Sequence, residues 1–260
     1  MRALIDGDLI LYRACHAVQN RWYVAYEGGI PVGCSPRKKD CEGYDQVEYH
    51  TTIDEDSYWR GCKIIEEMVE KIMTETGATT GTVFLTGVGN FRAELYPEYK
   101  GHRPEKPILY LQLKEFFVHN LDFDVQVVDG MEADDALGIN QTNETIICSY
   151  DKDLRMIPGK HYDFNKQAFF EVHPEAAKRI FYAQVLTGDS TDNIPGLHRV
   201  GKVTALKILE GAQTEQEMWE RVLAAYREHD IVEEEVIRNA QLIWIMREAD
   251  TIWSPPYEEA

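Results

Sequence analysis

Eight acidic residues stand out among the 45 Asp and Glu of this 260-residue chain by where they fall. Asp6 lies in the opening segment ALIDGDLILYR. Glu132, Asp134 and Asp135 lie in DGMEADDALG, Asp151 and Asp153 in SYDKDL, and Asp189 and Asp192 in TGDSTDNIPG. Carboxylates about 4 Å apart repel by about 4 kcal/mol per pair at an effective dielectric near 20, so a converging cluster takes up protons or binds cations. Oxygen ligands without His or Cys partners suit hard divalent ions, Mg²⁺ or Mn²⁺. Two such ions about 3.5–4 Å apart form a common device for cleaving phosphodiesters. Each acid also has a plainer use. Asp8, at a strand-to-helix junction, suits an N-cap better than a ligand. Asp135 could simply start a helix, and Asp151, Asp153, Asp189 and Asp192 taken singly read as turn residues. The plain uses do not explain why the groups recur just past strands.

The elements that would position these acids follow from the pattern. Residues 2–5 read as a short apolar strand that runs into Asp6 and then a helix to about 18. Residues 21–53, rich in Tyr, Val and Thr with turn signals at Gly28-Gly29 and Ser35-Pro36, read as irregular hairpins. Apolar residues at helical spacing predict a helix over 55–76. Strands are predicted at 82–86, 124–128 and 145–148, with helices at 108–119 and from 132 to 139. From about 174 the pattern is helical, interrupted at 189–201. Strands alternating with helices predict a mostly parallel sheet with helices on both faces. Ligands bind such sheets beyond the carboxyl ends of the strands, so Asp6, Glu132, Asp134, Asp135, Asp151 and Asp153 should converge there, with Asp189 and Asp192 closing the ring. Between 87 and 107 runs a partly basic excursion carrying Arg92, Lys100, Arg103 and Lys106. Lys100 and Arg103, three residues apart, can share one helical face and clamp a phosphoryl group. Arg92 suits a phosphate contact or a structural ion pair equally.

Composition excludes several classes. With 44% apolar and 28% charged residues the chain is ordinary and globular, not disordered or fibrous. Five cysteines without a CxxC argue against a disulfide framework or a zinc ribbon and for a reducing cytoplasm. No apolar run reaches the roughly 18 residues of a membrane span. Asp6 and Asp8 interrupt the N-terminal apolar stretch, which makes it a poor signal peptide. The expectation is a monomer that meets no membrane. A net charge of −18 argues against binding polyanions, unless many of the acids are gathered in a metal site. Residues 196–202 have the spacing of a Walker loop. Val203 stands where Mg²⁺ coordination needs Ser or Thr, and Asn193-Ile194-Pro195 precedes the loop instead of a buried strand, so ATP hydrolysis is not expected.

Taken in order, ALIDGDLILYR, FRAELYPEYKGHR, DGMEADDALG, SYDKDL and TGDSTDNIPG span most of the chain. The ordered set resembles the flap endonuclease or 5′-to-3′ exonuclease family, particularly its bacteriophage members. The resemblance implies a PIN-like α/β nuclease core over 1–186 with an arch or loop at about 87–107. It also implies a helical, helix-hairpin-helix-like duplex-binding module over 187–260. It implies two Mg²⁺ or Mn²⁺ ions, the first held by Asp6, Glu132, Asp134 and Asp135, the second by Asp151, Asp153, Asp189 and Asp192. Lys100 and Arg103 would face the scissile phosphate. Arg92, Gly201, Lys202 and Thr204 would contact nucleic acid. The substrate would be DNA with 5′ ends, nicks or flaps, or an RNA–DNA hybrid in primer removal, met in the host cytoplasm if the chain is phage-encoded.

Two departures from the family pattern bear on this. An acid usual after the strand at 82–86 is replaced by Gly87, for which Asp8 is the candidate substitute. In the hairpin, Arg199 replaces the first of two glycines, so a hairpin-bound K⁺ is not expected. Two other readings share part of the pattern: a PIN-type ribonuclease, which would not need the helical module, and a nucleic-acid-binding replication protein with weakened catalysis.

Overall fold

The computed structural model describes residues 1–257. In chain order the elements are β1 (Arg2–Asp6), α1 (Gly7–Val18), β2 (Asn20–Glu27), β3 (Ile30–Ser35), β4 (Gln46–Thr52), α2 (Ser57–Thr76) and β5 (Thr80–Thr86). Then come α3 (Phe91–Leu95), α4 (Tyr110–His119), β6 (Val125–Val128), α5 (Ala133–Asn140) and β7 (Thr145–Cys148). The chain continues through β8 (Gly159–Asp163), β9 (Ala168–Val172), α6 (Pro174–Thr187), α7 (Lys202–Ile208), α8 (Glu215–Arg227) and α9 (Glu233–Ile243).

Two compact units divide the chain. The first comprises 1–8, 72–104 and 123–260, the second 9–71 and 105–122. The expected boundary at 186/187 does not coincide with this division. One buried cluster in the first unit runs from Leu4 and Phe84 through Phe181 and Leu186 to Trp219, Leu242 and Trp253, so the C-terminal helices share a core with the strands. The physical reason lies in α6, which packs against α7, α8 and α9 and carries apolar residues on the face they cover. The 87–107 excursion divides between the two units rather than forming one element.

The first unit holds a six-stranded sheet in the order β6-β5-β1-β7-β8-β9. Five strands are parallel, and β9 pairs antiparallel with β8. Ala3, Leu4 and Ile5 in β1, Val83 and Leu85 in β5, and Ile147 and Cys148 in β7 have no exposed surface, as expected of parallel strands covered on both sides. α5 packs against β1, β5 and β6. The chain leaves β1 for β5 and β6 on one side, then crosses to β7 and β8 on the other. This reversal places a crevice outside the carboxyl ends of β1 and β7, where open sheets of this kind bind ligands. The β8–β9 hairpin was not expected from the sequence.

The second unit contains a three-stranded antiparallel sheet, β3-β2-β4, on which the Tyr23 and Tyr49 rings pair across strands at 5.4 Å. Within this unit Leu113 of α4 fills the space left by Gly61 of α2, where a Cβ would lie 2.7 Å from the Leu113 side chain. Among the described residues no helix is long and apolar enough to cross a membrane.

Candidate active site

Asp6 ends β1 with 2% of its surface exposed and accepts a hydrogen bond of 2.7 Å from the Ser149 hydroxyl, just past β7. That same hydroxyl oxygen accepts the backbone N–H of Asp151 at 3.0 Å, and the Asp151 carboxylate accepts the N–H of Asp153 at 2.8 Å. The ends of β1 and β7 are thus stitched together through the acids expected to converge there.

On the other side of β1, the Thr86 hydroxyl at the end of β5 accepts the N–H of Ala133 at 2.9 Å, which seats the start of α5 against the sheet. Glu132 immediately precedes that helix. Its carboxylate accepts from the Asn90 amide at 2.8 Å and pairs with the Lys100 ammonium. Asp134 lies in the first turn of α5. Burial, followed by the negative charges of Asp6, Asp151 and Glu132, pushes its carboxyl well above the ordinary range. Four of the predicted acids therefore act on one another, from three strand ends.

Asp153 is pushed up to about 6 by burial and then by Asp151 and Asp189. The Gln184 amide of α6 donates to Asp153 at 3.1 Å and to Asp189 at 3.4 Å. Asp189 also serves its own turn, accepting the N–H of Thr191 at 2.8 Å. Asp192 is bound by Arg103 at 2.5 Å, with the Lys100 ammonium 3.6 Å away. Glu132, Asp134, Asp153, Asp189 and Asp192 line a common cavity of ≈ 40 Å³. A space of that size holds a water or an ion.

Several expectations need correction. Asp135 is fully buried under a two-pronged pair with Arg92, at 2.7 and 2.8 Å, and also accepts the N–H groups of Glu132 and Met246. These bonds engage both carboxylate oxygens within the protein. Arg92, 2% exposed, also donates to the carbonyls of Leu242 and Trp244, the arrangement of a structural ion pair. Lys100 lies in a turn and Arg103 just past it, not on a helical face, and Lys100 has a left-handed backbone with φ 57°. They meet instead through the carboxylates they share. Asp8 lies inside α1 and not at its N-cap position. It sits in the first turn of that helix and accepts the backbone N–H of Thr86 at 3.3 Å.

Gly87 offers no room for the acid. A Cβ there would lie 2.0 Å from the Asp129 carboxylate, which accepts the N–H of Val88 at 2.8 Å, and 2.7 Å from the Val128 carbonyl. At the hairpin, Arg199 keeps the left-handed backbone, φ 62°, that a glycine would supply. Gly201 caps α7 in an extended conformation, and Gly201, Lys202 and Thr204 are exposed.

Tyr99, Gln184, Ser149 and Asn90, all bonded to the acids, escaped the sequence reading. Tyr99 and Ser149 sit inside the quoted motifs YPEYKGHR and SYDKDL, beside the charged residues that drew attention. Gln184 lies in a helix with nothing in its spacing to mark it.

The donor set fits a hard divalent cation. The facing groups are carboxylate oxygens, and Asp134 is under electrostatic pressure to gain a proton or a cation. Among the described residues no group of three or more His, Cys, Asp or Glu side chains is arranged, as it stands, to hold a metal ion. Glu132 and Asp192 are held by Lys100 and Arg103.

The chain is similar to several known proteins. The sequence profile described as 5′-3′ exonuclease, N-terminal resolvase-like domain, matches residues 47–189, more than half of the chain. A 5′-3′ exonuclease of Buchnera aphidicola (Acyrthosiphon pisum) is 26% identical over 224 residues, covering 79% of this chain and 68% of its own length. The 5′-3′ exonuclease of Bacillus subtilis is 24% identical, covering 81% and 70%. DNA polymerase I of Pseudomonas aeruginosa is 31% identical over 80% of this chain but only 22% of its own length. The chain thus spans about two thirds of these exonucleases and about a fifth of the polymerase. The bacteriophage T5 D15 protein, co-crystallised with metal ions, shares the fold, with a TM-score of 0.62 at 15% identity over 93% of this chain and 88% of that one. A complex of the T5 D15 flap endonuclease with DNA and metal ions aligns over the same shares with a TM-score of 0.59.

Proposed function

The chain belongs to the 5′-3′ exonuclease family, and from that premise we propose that it is a divalent-metal-dependent 5′ nuclease. It would hydrolyse phosphodiester bonds of DNA at 5′ ends, nicks or flaps, as exonuclease, flap endonuclease or both. The observation that carries the reading is Asp134, half-buried beside Asp6, Glu132 and Asp151 beyond the strand ends, with Lys100 and Arg103 paired to the adjoining carboxylates.

Asp6, Glu132 and Asp134 would hold one Mg²⁺ or Mn²⁺ ion, and Asp151, Asp153, Asp189 and Asp192 a second. When bound, the ions would supply Lewis acidity at the phosphate and charge neutralisation for an in-line displacement. The chain's own residues do the rest. Ser149 orients Asp6. Lys100 and Arg103, which face Glu132 and Asp192, are placed to exchange those carboxylates for a phosphate and to act most strongly as charge builds on it. Gly201, Lys202 and Thr204 present exposed donors to a duplex backbone. Losing Lys202 should lower the log–log salt slope of duplex binding by about 0.9.

The test is cleavage of a 5′-labelled nicked or flapped duplex, with an RNA–DNA hybrid in parallel, in Mg²⁺ and in chelator. Asp151→Asn with Asp153→Asn should abolish cleavage and leave duplex binding in Ca²⁺ intact or tighter, because negative charge near phosphate is removed. Binding lost in step with activity would count against the metal assignment.

A further inference from the structure

We propose that Tyr99 and Gln184 are positioning residues of this site, each a neutral hydrogen-bonding group set between two carboxylates from separate segments, which holds the ligand set in place for the cations it would take up. The inference rests on the metal-site reading above and adds two residues to it. The Tyr99 hydroxyl lies 3.2 and 3.3 Å from the two Glu132 oxygens and 3.3 Å from Asp192. Glu132 precedes α5, and Asp192 lies 60 positions later in the turn after α6. The Gln184 amide, with two N–H groups, donates to Asp153 after β7 and to Asp189 after α6. Gln184 thus joins two acids assigned to the second ion, and Tyr99 joins one acid from each of the two sets.

The chemistry of both donors suits the task. Like charges would push each pair of carboxylates apart. A Lys or Arg in either place would hold them together but would compete with a metal for the same charge. A hydroxyl or an amide supplies a hydrogen bond without a competing charge. Tyr99 is 7% exposed, and a tyrosine hydroxyl carries its proton at neutral pH. Gln184 projects from α6 between Tyr182, Ala183, Val185 and Leu186, all buried, so its backbone is fixed by the core.

The measurement is calorimetric titration of the full chain with Ca²⁺ alone, without nucleic acid, for wild type, Tyr99→Phe and Gln184→Leu. Tyr99→Phe removes only the hydroxyl and keeps the buried ring. Hydrogen bonds to charged groups being worth more than neutral ones, each variant should bind about ten-fold more weakly. In an Asp189→Asn background, Gln184→Leu should cost much less than it does alone, because the partner it acts through has changed. Wild-type affinity in both single variants would overturn the inference. So would a Gln184→Leu loss undiminished by Asp189→Asn, which would mark general loosening instead. A wild-type chain that takes up no Ca²⁺ would overturn the metal-site reading itself, a result distinct from either of these.

Discussion

Asp135 is sealed under the Arg92 guanidinium, whereas Asp134, one residue earlier on the same helix, faces Asp6, Asp151 and Glu132. Consecutive helical positions point about 100° apart, so neighbours in sequence need not share a task. Removing one partner of a buried ion pair strands the other charge. Arg92→Ala should therefore cost about 3–5 kcal/mol of folding stability in urea denaturation. A variant that unfolds like wild type but loses duplex affinity would restore Arg92 to the nucleic-acid interface. Asp134 should behave in the opposite sense. Its folded carboxyl is raised above the unfolded value, so the native state holds the proton more tightly. Stability then falls as pH rises from the ordinary carboxylate range through the raised one, and above that window the penalty is fully present. Asp134→Asn should raise the melting temperature of the metal-free protein at pH 7 to 8 by about 2–4 °C for each kcal/mol relieved, while abolishing cleavage. An unchanged or lower melting temperature in chelator would mean that the cluster does not strain the fold. The acids were legible in sequence because they recur after strands. Their division into ligands and struts was not, because Arg92 finds Asp135 43 positions away and nothing local announces the pair.

At the scale of elements, the strand ends were readable and the space between them was not. β1, β5, β6 and β7 follow from short apolar runs stopped by acids or turns, and α5 from the apolar spacing after Glu132. β8 and β9 escaped because Gly159–Asp163 mixes Lys160 and His161 into a strand whose His161, Tyr162 and Asp163 are buried. Their turn is built by the Asp163 side chain accepting the N–H groups of Asn165 and Lys166, with Gln167 in the left-handed region, φ 53°. That turn carries none of the Asn-Gly or Gly-Gly signals that mark two-residue hairpins. The strand end after β5 shows the same limit. An acid at Gly87 looked like a missing ligand, but β6 runs alongside, and Asp129 and the Val128 carbonyl fill the place of any side chain. Gly87→Asp should accordingly lower thermal stability by an amount typical of overpacking, about 1–3 kcal/mol, instead of reducing the Mg²⁺ requirement. A folded Gly87→Asp with wild-type melting and a lower Mg²⁺ midpoint would show that the β5–β6 strand ends can part to admit a ligand.

Over the whole molecule the formal charge of −18 opposes compaction, and a portion of it is concentrated at one site by the fold. These two contributions respond differently to cations. Diffuse repulsion is screened by any salt, over a Debye length of about 8 Å at physiological ionic strength. A cluster such as Asp6, Glu132, Asp134 and Asp151 is relieved chiefly by an ion that enters it, because a partly buried site is poorly screened from outside. Binding to the native state alone stabilises by about 2.7 kcal/mol at a hundred times the dissociation constant. At about 2–4 °C per kcal/mol, Mg²⁺ should raise the melting temperature by about 5–10 °C, and the gain should level off as the site fills. NaCl at matched ionic strength should give a smaller shift. Glu132→Gln with Asp134→Asn should erase the extra Mg²⁺ increment while keeping the NaCl response, since two charges fewer leave most of the surface field in place. The pair of titrations separates a metal site from a merely acidic protein. If wild type responds to Mg²⁺ no more than to NaCl, the carboxylates at the strand ends are balanced by Lys100 and Arg103 alone, and the divalent chemistry proposed for this site has no place to occur.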